Sequence, residues 1–340
     1  MLSDMEPTLK DWALGLGRAL QYGGSVPRTV SSARRHTGRS RLSRIAAAFV
    51  VLAALGGYLT VQYISGSKVA EGCTVESADG SAGQGRTYRM SPEQASNAAT
   101  ISAVGTSRGM PERAVTIALA TALQESGLRN IEHGDRDSLG LFQQRPSQGW
   151  GTEKQILDPV YSAGEFYRHL AEVPGYSRLP LTVAAQRVQR SGFPQAYAKH
   201  EPDAALLAAA LTGRTPAALN CTPPRTTAAT ADAAKVRAEL VRAFGKDVLP
   251  ARKPSPEDGK AAAGASATST VSVPVRAARA SGDDDSARRG WELAHWAVAQ
   301  SEALRLDEIT YAGRVWKAGS GWRTERTESG TTEVRMRLAH

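Results

Sequence analysis

The chain has few cysteines and few aromatic residues. It contains two cysteines in 340 residues and no C-x-x-C spacing, so a zinc site built on clustered cysteines is excluded. Aromatic residues are 6% and hydrophobic residues 41% of the chain, enough for a globular core over part of its length. The net charge of +9 suits an anionic membrane surface or an acidic polymer. No basic stripe alternates with aromatic residues, so nucleic acid is not an expected partner.

Long hydrophobic runs are scarce, but residues 45–64 form one. They carry no charge over twenty positions, a length that crosses a bilayer as a helix. Five arginines precede this run, whereas Lys68 is the one cation shortly after it. By the positive-inside rule this predicts a single-pass membrane protein with a basic cytoplasmic tail, residues 1–44, and everything else extracytoplasmic. A cleaved signal peptide is the alternative.

The two cysteines, Cys73 and Cys221, bracket one helical region. On the exported side of a membrane disulfides persist, so a bridge between them is predicted. Two unrelated buried thiols are the alternative.

The rest of the chain is expected to divide by composition. The predicted parts are a Gly- and Ser-rich spacer (65–87), a helical domain (88–221), a helical stretch with a flexible linker (222–286) and a small α+β module (287–340). The predicted fold class is therefore mainly α: a transmembrane helix, a helical domain with a small β-hairpin region, a linker, and a helix-plus-β-hairpin module.

The candidate functional residue is Glu125. It lies in the last turn of a segment, AVTIALATALQES, that is apolar on nearly all sides and so reads as a buried helix. Gly127 is placed to end that helix in a left-handed cap. A carboxyl at the negative end of a buried helix tends to keep its proton, as a general acid must. An exposed glutamate at a fraying helix end is the alternative.

Residues around Glu125 follow a recognisable order. The matching positions are Glu125 and Ser126, then Gly140, Leu141, Phe142 and Gln143, then Pro146, and finally Leu157, Asp158, Pro159 and Gly164. This order and spacing resembles the lysozyme-like superfamily, in particular the soluble lytic transglycosylase type of domain, over roughly residues 88–215. Phe142 stands where that family usually has Met.

The resemblance implies a fold, a substrate and a mechanism. The partner is peptidoglycan, and no cofactor or metal is expected. Glu125 would protonate the oxygen between MurNAc and GlcNAc and then act as base toward the 6-hydroxyl of the sugar, giving an anhydro product. The family also has an Ala-Tyr-Asn segment whose Tyr approaches the acid. That segment is missing, and Gln186 or Tyr197 is expected to face the cleft in its place.

Other residues receive roles from the same resemblance. Ser126 positions the acid, and the segment from Gly140 to Gln143 binds substrate or shapes the cleft floor. Trp150 either stacks on a sugar or packs in the core. Asp135 and Asp137 are candidates for the second carboxylate of a hydrolase, or are ordinary turn formers.

Two further interpretations stay open at this point. The missing Ala-Tyr-Asn segment favours a non-catalytic wall-binding or scaffold protein, whereas the retained Glu125 favours an enzyme. A membrane signalling or assembly partner would act through the basic tail and the terminal module. No sequence feature names a protein partner.

Overall fold

The computed structural model describes residues 71–77, 85–191, 194–222, 231–249, 270–275, 283–325 and 332–339. All of them belong to one compact unit, which spans residues 68–340. The predicted cytoplasmic tail and the apolar run at 45–64 lie outside the described residues, as do most of the predicted spacer and much of the linker.

Helices dominate the region that follows the first cysteine. They are α1 (Pro92–Ser107), α2 (Glu112–Ser126), α3 (Glu153–Ile156), α4 (Pro159–Ala171), α5 (Leu181–Gln189) and α6 (Glu201–Leu211). The first begins at a capping box: the Ser91 hydroxyl accepts from the Gln94 amide at 3.2 Å, and the Gln94 side chain accepts from the Ser91 amide at 2.8 Å. Helix α2 is buried along most of its length and packs on α6 and α1, so it forms the centre of this helical region.

A small antiparallel sheet closes the region. Its strands are β1 (Gly72–Glu76), β2 (Thr87–Met90) and β3 (Leu219–Thr222), in the order β2-β1-β3. Cys73 pairs directly with Cys221 across β1 and β3, and their sulfurs form a disulfide. The predicted bridge is confirmed, and it ties the start of the helical region to its end.

The C-terminal part adds three helices and a second antiparallel sheet. These elements are α7 (Ala233–Phe244), α8 (Asp283–Ala299), α9 (Ser301–Leu304), β4 (Thr270–Pro274), β5 (Leu306–Tyr311), β6 (Arg314–Lys317), β7 (Gly321–Thr324) and β8 (Glu333–Leu338). The strand order is β4-β8-β5-β6-β7. Helix α8 contacts α1, α6 and β3 as well as β5 and β8, so it joins the second sheet to the helical region.

The predicted fold class is wrong. The described residues form a mixed structure of helices with two antiparallel sheets and eight strands. Strand β1 comes from the presumed spacer and β4 from the presumed linker. Both strands are only five residues long, and each is stabilised by a partner far along the chain, β3 for β1 and β8 for β4. Their pairing was therefore invisible in the local pattern.

The predicted membrane anchor, and the localisation built on it, is contradicted as well. A bilayer-spanning helix needs about 20 mostly apolar residues. Within the described part of the chain no helix is long and apolar enough to cross a membrane.

Polar contacts fix the second sheet to the first. The indole of the buried Trp316 donates to Asn220 Oδ1 at 2.9 Å, and the indole of Trp322 donates to the Leu219 carbonyl at 2.8 Å. On α8, the buried Glu292 accepts from the Thr106 hydroxyl and pairs with Arg289 at 2.7 Å. These buried or half-buried polar side chains thus have partners across or beside the contact, as in a packed interface between the two parts.

His295 is expected to make that interface sensitive to pH. Its ring is fully buried, with Nδ1 2.7 Å from the Ala210 carbonyl oxygen, and Nε2 has no hydrogen-bond partner among the described residues. Burial lowers the pKa of His295 to about 4, so the ring becomes protonated at a lower pH in the folded protein than in the unfolded chain. We expect stability to be full above about pH 6.5 and to fall by about 3 kcal/mol as the pH drops to 4.

Urea unfolding at pH 7.5, 5.5 and 4 measures this loss. Other groups also titrate over that range, so the comparison is with His295→Leu, which keeps a buried apolar side chain and cannot be protonated. The gap, defined as the unfolding free energy of the wild type minus that of His295→Leu, should decrease by about 3 kcal/mol from pH 7.5 to pH 4. A gap that stays constant would show that His295 does not carry the effect.

Candidate functional site

Glu125 lies where the sequence predicts it, in the last turn of α2. Gly127 ends the helix with φ 63° and donates its amide to the Leu123 carbonyl at 3.1 Å, as a left-handed cap does. Two side chains of α1 hold the turn: Gln94 donates to the Gly127 carbonyl at 2.7 Å and Asn97 to the Leu128 carbonyl at 2.9 Å. The backbone after the carboxyl is therefore fixed from outside its own helix.

Tyr197 makes the direct contact with Glu125. It lies on the 3-10 helix Pro194–His200 and its side chain is buried. Its hydroxyl donates to Glu125 Oε1 at 2.6 Å. Burial, followed by the neighbouring carboxylate, raises the pKa of Tyr197, so the phenol stays a proton donor at neutral pH. A second bond, His200 Nε2 to Gln124 Oε1 at 3.1 Å, fastens the same turn of α2 to the same 3-10 helix.

Of the two residues expected to face the cleft, Tyr197 is the one that reaches the acid. Gln186 instead donates its side-chain amide to the Ser191 carbonyl at 2.7 Å. This hydrogen bond fixes the chain just after α5, so Gln186 stabilises the end of its own helix.

The segment from Gly140 to Gln143 forms the tip of a tight hairpin. Leu139 and Gln144 exchange backbone hydrogen bonds of 2.9 and 3.0 Å. Gly140 has φ 74°, and a Cβ there would lie 2.8 Å from the Ile156 carbonyl oxygen, so a side chain is excluded. The Ser126 hydroxyl donates to the Leu141 carbonyl at 2.8 Å. Ser126 thereby joins the end of α2 to the hairpin beside the acid.

The hairpin is apolar on one side and polar on the other. Leu141 and Phe142 are fully buried, and the Phe142 ring stacks on Phe166 with 4.6 Å between centroids. Gln143 is half-buried and adopts φ 48°. The segment that the sequence predicts as substrate-binding therefore divides: Leu141 and Phe142 are core residues, and Gln143 lies at the surface of a groove.

That groove has a volume of about 420 Å³. Gln143 and Trp150 line it, together with the last turn of α5. The Trp150 ring packs against His169, 4.3 Å between centroids, and stays half-buried. Glu125 is not part of the lining, so the groove is separate from the acid, and Gln143 of the hairpin is one of its lining residues.

Of the two candidates for a second carboxylate, one is bound within its own loop and the other is exposed. Asp137 accepts from Arg145 Nε at 2.7 Å and from the Ser147 amide at 2.8 Å. The hydrogen bonds from Ser147, followed by that from Arg145, hold the pKa of Asp137 well below its usual range. The Asp135 side chain is 94% exposed, 4.0 Å from Arg136. Asp137 therefore organises the loop, and Asp135 extends into solvent.

Several supporting residues were missed by sequence reasoning. Gln189 donates to the Phe142 carbonyl at 2.7 Å, and the buried Gln144 donates to the Ser162 carbonyl at 3.0 Å. No periodicity marks these residues, because their partners lie on other elements. In the described ranges no group of three or more His, Cys, Asp or Glu residues is arranged to hold a metal ion.

A family model described as VldE, C-terminal domain, matches residues 225–336, about a third of the chain. The match begins ahead of α7 and takes in α8 and the five-stranded sheet, and it does not include Glu125 or Tyr197. No curated protein matches the chain.

Proposed function

We propose that the helical domain cleaves the glycan strands of peptidoglycan between MurNAc and GlcNAc, with Glu125 as acid and base. The observation that carries the proposal is the 2.6 Å hydrogen bond from the Tyr197 hydroxyl to Glu125 Oε1. The sequence resemblance implies a tyrosine near the acid, and Tyr197 supplies one from a different segment of the chain.

In this proposal each oxygen of Glu125 has a separate task. Oε1 accepts from Tyr197, which leaves Oε2 to carry the transferable proton. Oε2 would protonate the glycosidic oxygen, and the bond from that oxygen to C1 of MurNAc breaks. The resulting carboxylate is stabilised by the tyrosine hydroxyl. It then takes the proton of the 6-hydroxyl of MurNAc, while the oxygen of that hydroxyl bonds to C1. The product is a 1,6-anhydro sugar, and no water is consumed.

Mass spectrometry of the products released from purified peptidoglycan tests this proposal. The water-free reaction gives anhydro ends. Reducing ends would instead indicate hydrolysis, which needs a second group to activate water. No released fragment would contradict the proposal and favour a domain that binds glycan without cutting it.

Tyr197→Phe should lower the rate of glycan release by roughly 10- to 100-fold, because a hydrogen bond to a charged group is worth about 1.5–3 kcal/mol. The ring still fills its buried site, so the melting temperature should change little. Tyr176→Phe is the matched control, since this half-buried phenol lies on another 3-10 helix, Tyr176–Arg178. A Tyr197→Phe protein with full activity would show that the contact does not assist the acid.

A further inference from the structure

The groove beside the hairpin carries a surplus of positive charge. Arg187 and Arg190 lie at the end of α5 and line it, and both are exposed. Within the described part of the chain neither arginine forms a salt bridge. Two guanidinium groups in one polar groove form a typical site for an anionic ligand.

The other charges of the groove are already compensated. Arg145 pairs with Asp137 at 2.7 Å, and Glu172 pairs with Arg168 at 2.9 Å. Burial, and then Arg168, lowers the pKa of His169, so this ring is neutral at pH 7. The uncompensated charge of the groove therefore comes from Arg187 and Arg190.

The remaining lining suits a sugar more than a peptide. Side-chain amides of Gln143, Gln148 and Gln189 border the groove, and Trp150 adds an aromatic surface. Amides donate to and accept from sugar hydroxyls and acetamido groups, and an aromatic ring offers a face to an apolar sugar surface. The groove is also continuous with the hairpin through Gln143.

We propose that this groove is a subsite for a carboxylate-bearing oligosaccharide, and that Arg187 and Arg190 select for its carboxylate. The inference rests on the proposed function, since it assigns the groove to another part of the glycan strand that the same domain would cleave. Denuded peptidoglycan strands have the required chemistry, because each MurNAc exposes its lactyl carboxylate once the peptide is removed. A neutral chitin oligosaccharide has the same backbone without that charge.

Titration calorimetry on the full chain with Glu125→Gln tests the subsite without any cleavage. The probes are denuded peptidoglycan oligosaccharides, chitin oligosaccharides of equal length, and a short oligoglutamate peptide. We expect the denuded strands to bind at least 10-fold more tightly than the neutral ones. Adding Arg187→Gln with Arg190→Gln should weaken their binding by roughly 10- to 100-fold and leave neutral binding unchanged.

The control pair is Arg178→Gln with Arg237→Gln, which removes the same charge from exposed sites outside the groove and should leave binding unchanged. Three results would overturn the proposal: equal binding of neutral and denuded strands, unchanged binding in the groove variant, or arginine-dependent binding of oligoglutamate alone. Because the parent protein is already Glu125→Gln, these results are independent of whether the wild-type chain cleaves glycan. If mass spectrometry finds no fragment released from purified peptidoglycan, the catalytic proposal is refuted, and the binding result at the groove still holds.

Discussion

Glu125→Gln is expected to lower the rate of glycan-strand cleavage by about 10²–10⁴-fold, the range that general acid–base catalysis contributes. The amide has the size of the carboxyl and can still accept the hydrogen bond from Tyr197, but it has no proton to transfer. Stability should hold or rise slightly, since a neutral side chain is no worse than a carboxylate at the negative end of α2. The measurement is the initial rate of fragment release from purified peptidoglycan.

Glu132→Gln is the matched control, because Glu132 is an exposed glutamate on the neighbouring loop and its change removes the same charge. Asp135→Asn adds a second comparison: its effect should be small in the water-free reaction and severe if Asp135 activates water. A Glu125→Gln protein as active as the wild type would mean that the acid is a different residue.

The second large effect is expected from the disulfide. Cys73 and Cys221 are 148 residues apart in sequence, and a cross-link over so long a loop stabilises mainly by restricting the unfolded chain. Replacing both cysteines by serine should lower the free energy of unfolding by about 4–5 kcal/mol, an upper value from the chain-entropy relation. Urea unfolding followed by tryptophan fluorescence measures this loss of stability, because the indole of Trp322 donates a hydrogen bond to the Leu219 carbonyl on β3.

Wild-type protein unfolded in the presence of a reductant serves as the control, and it should unfold at nearly the urea concentration of the double serine variant. The native backbone pairing of β1 with β3 remains possible in both cases. An oxidised wild type no more stable than the serine variant would show that the bridge constrains little beyond what the sheet already does.

The sequence by itself determined the features whose causes are local. A serine before Pro92 caps α1, a glycine after Ser126 ends α2, and the apolar run between them buries α2 and places Glu125 in its last turn. Each of these depends on residues within one or two turns of the chain. The disulfide was predictable for a different reason, since two cysteines allow a single pairing.

The tertiary structure decided which residues meet. Tyr197 reaches Glu125 from 72 positions away, and Gln143 and Arg190 line the same groove from different elements. The strands β4 and β8 pair across the whole C-terminal part, and this overturned the mainly α prediction. Local pattern measures propensity within a few residues, whereas these contacts arise only when buried surfaces are packed together and the polar groups they enclose must find partners. Glu125 and the two candidates beside it, Gln186 and Tyr197, could therefore be named from the sequence, whereas the contact of Tyr197 with Glu125 and the charge of the neighbouring groove could not.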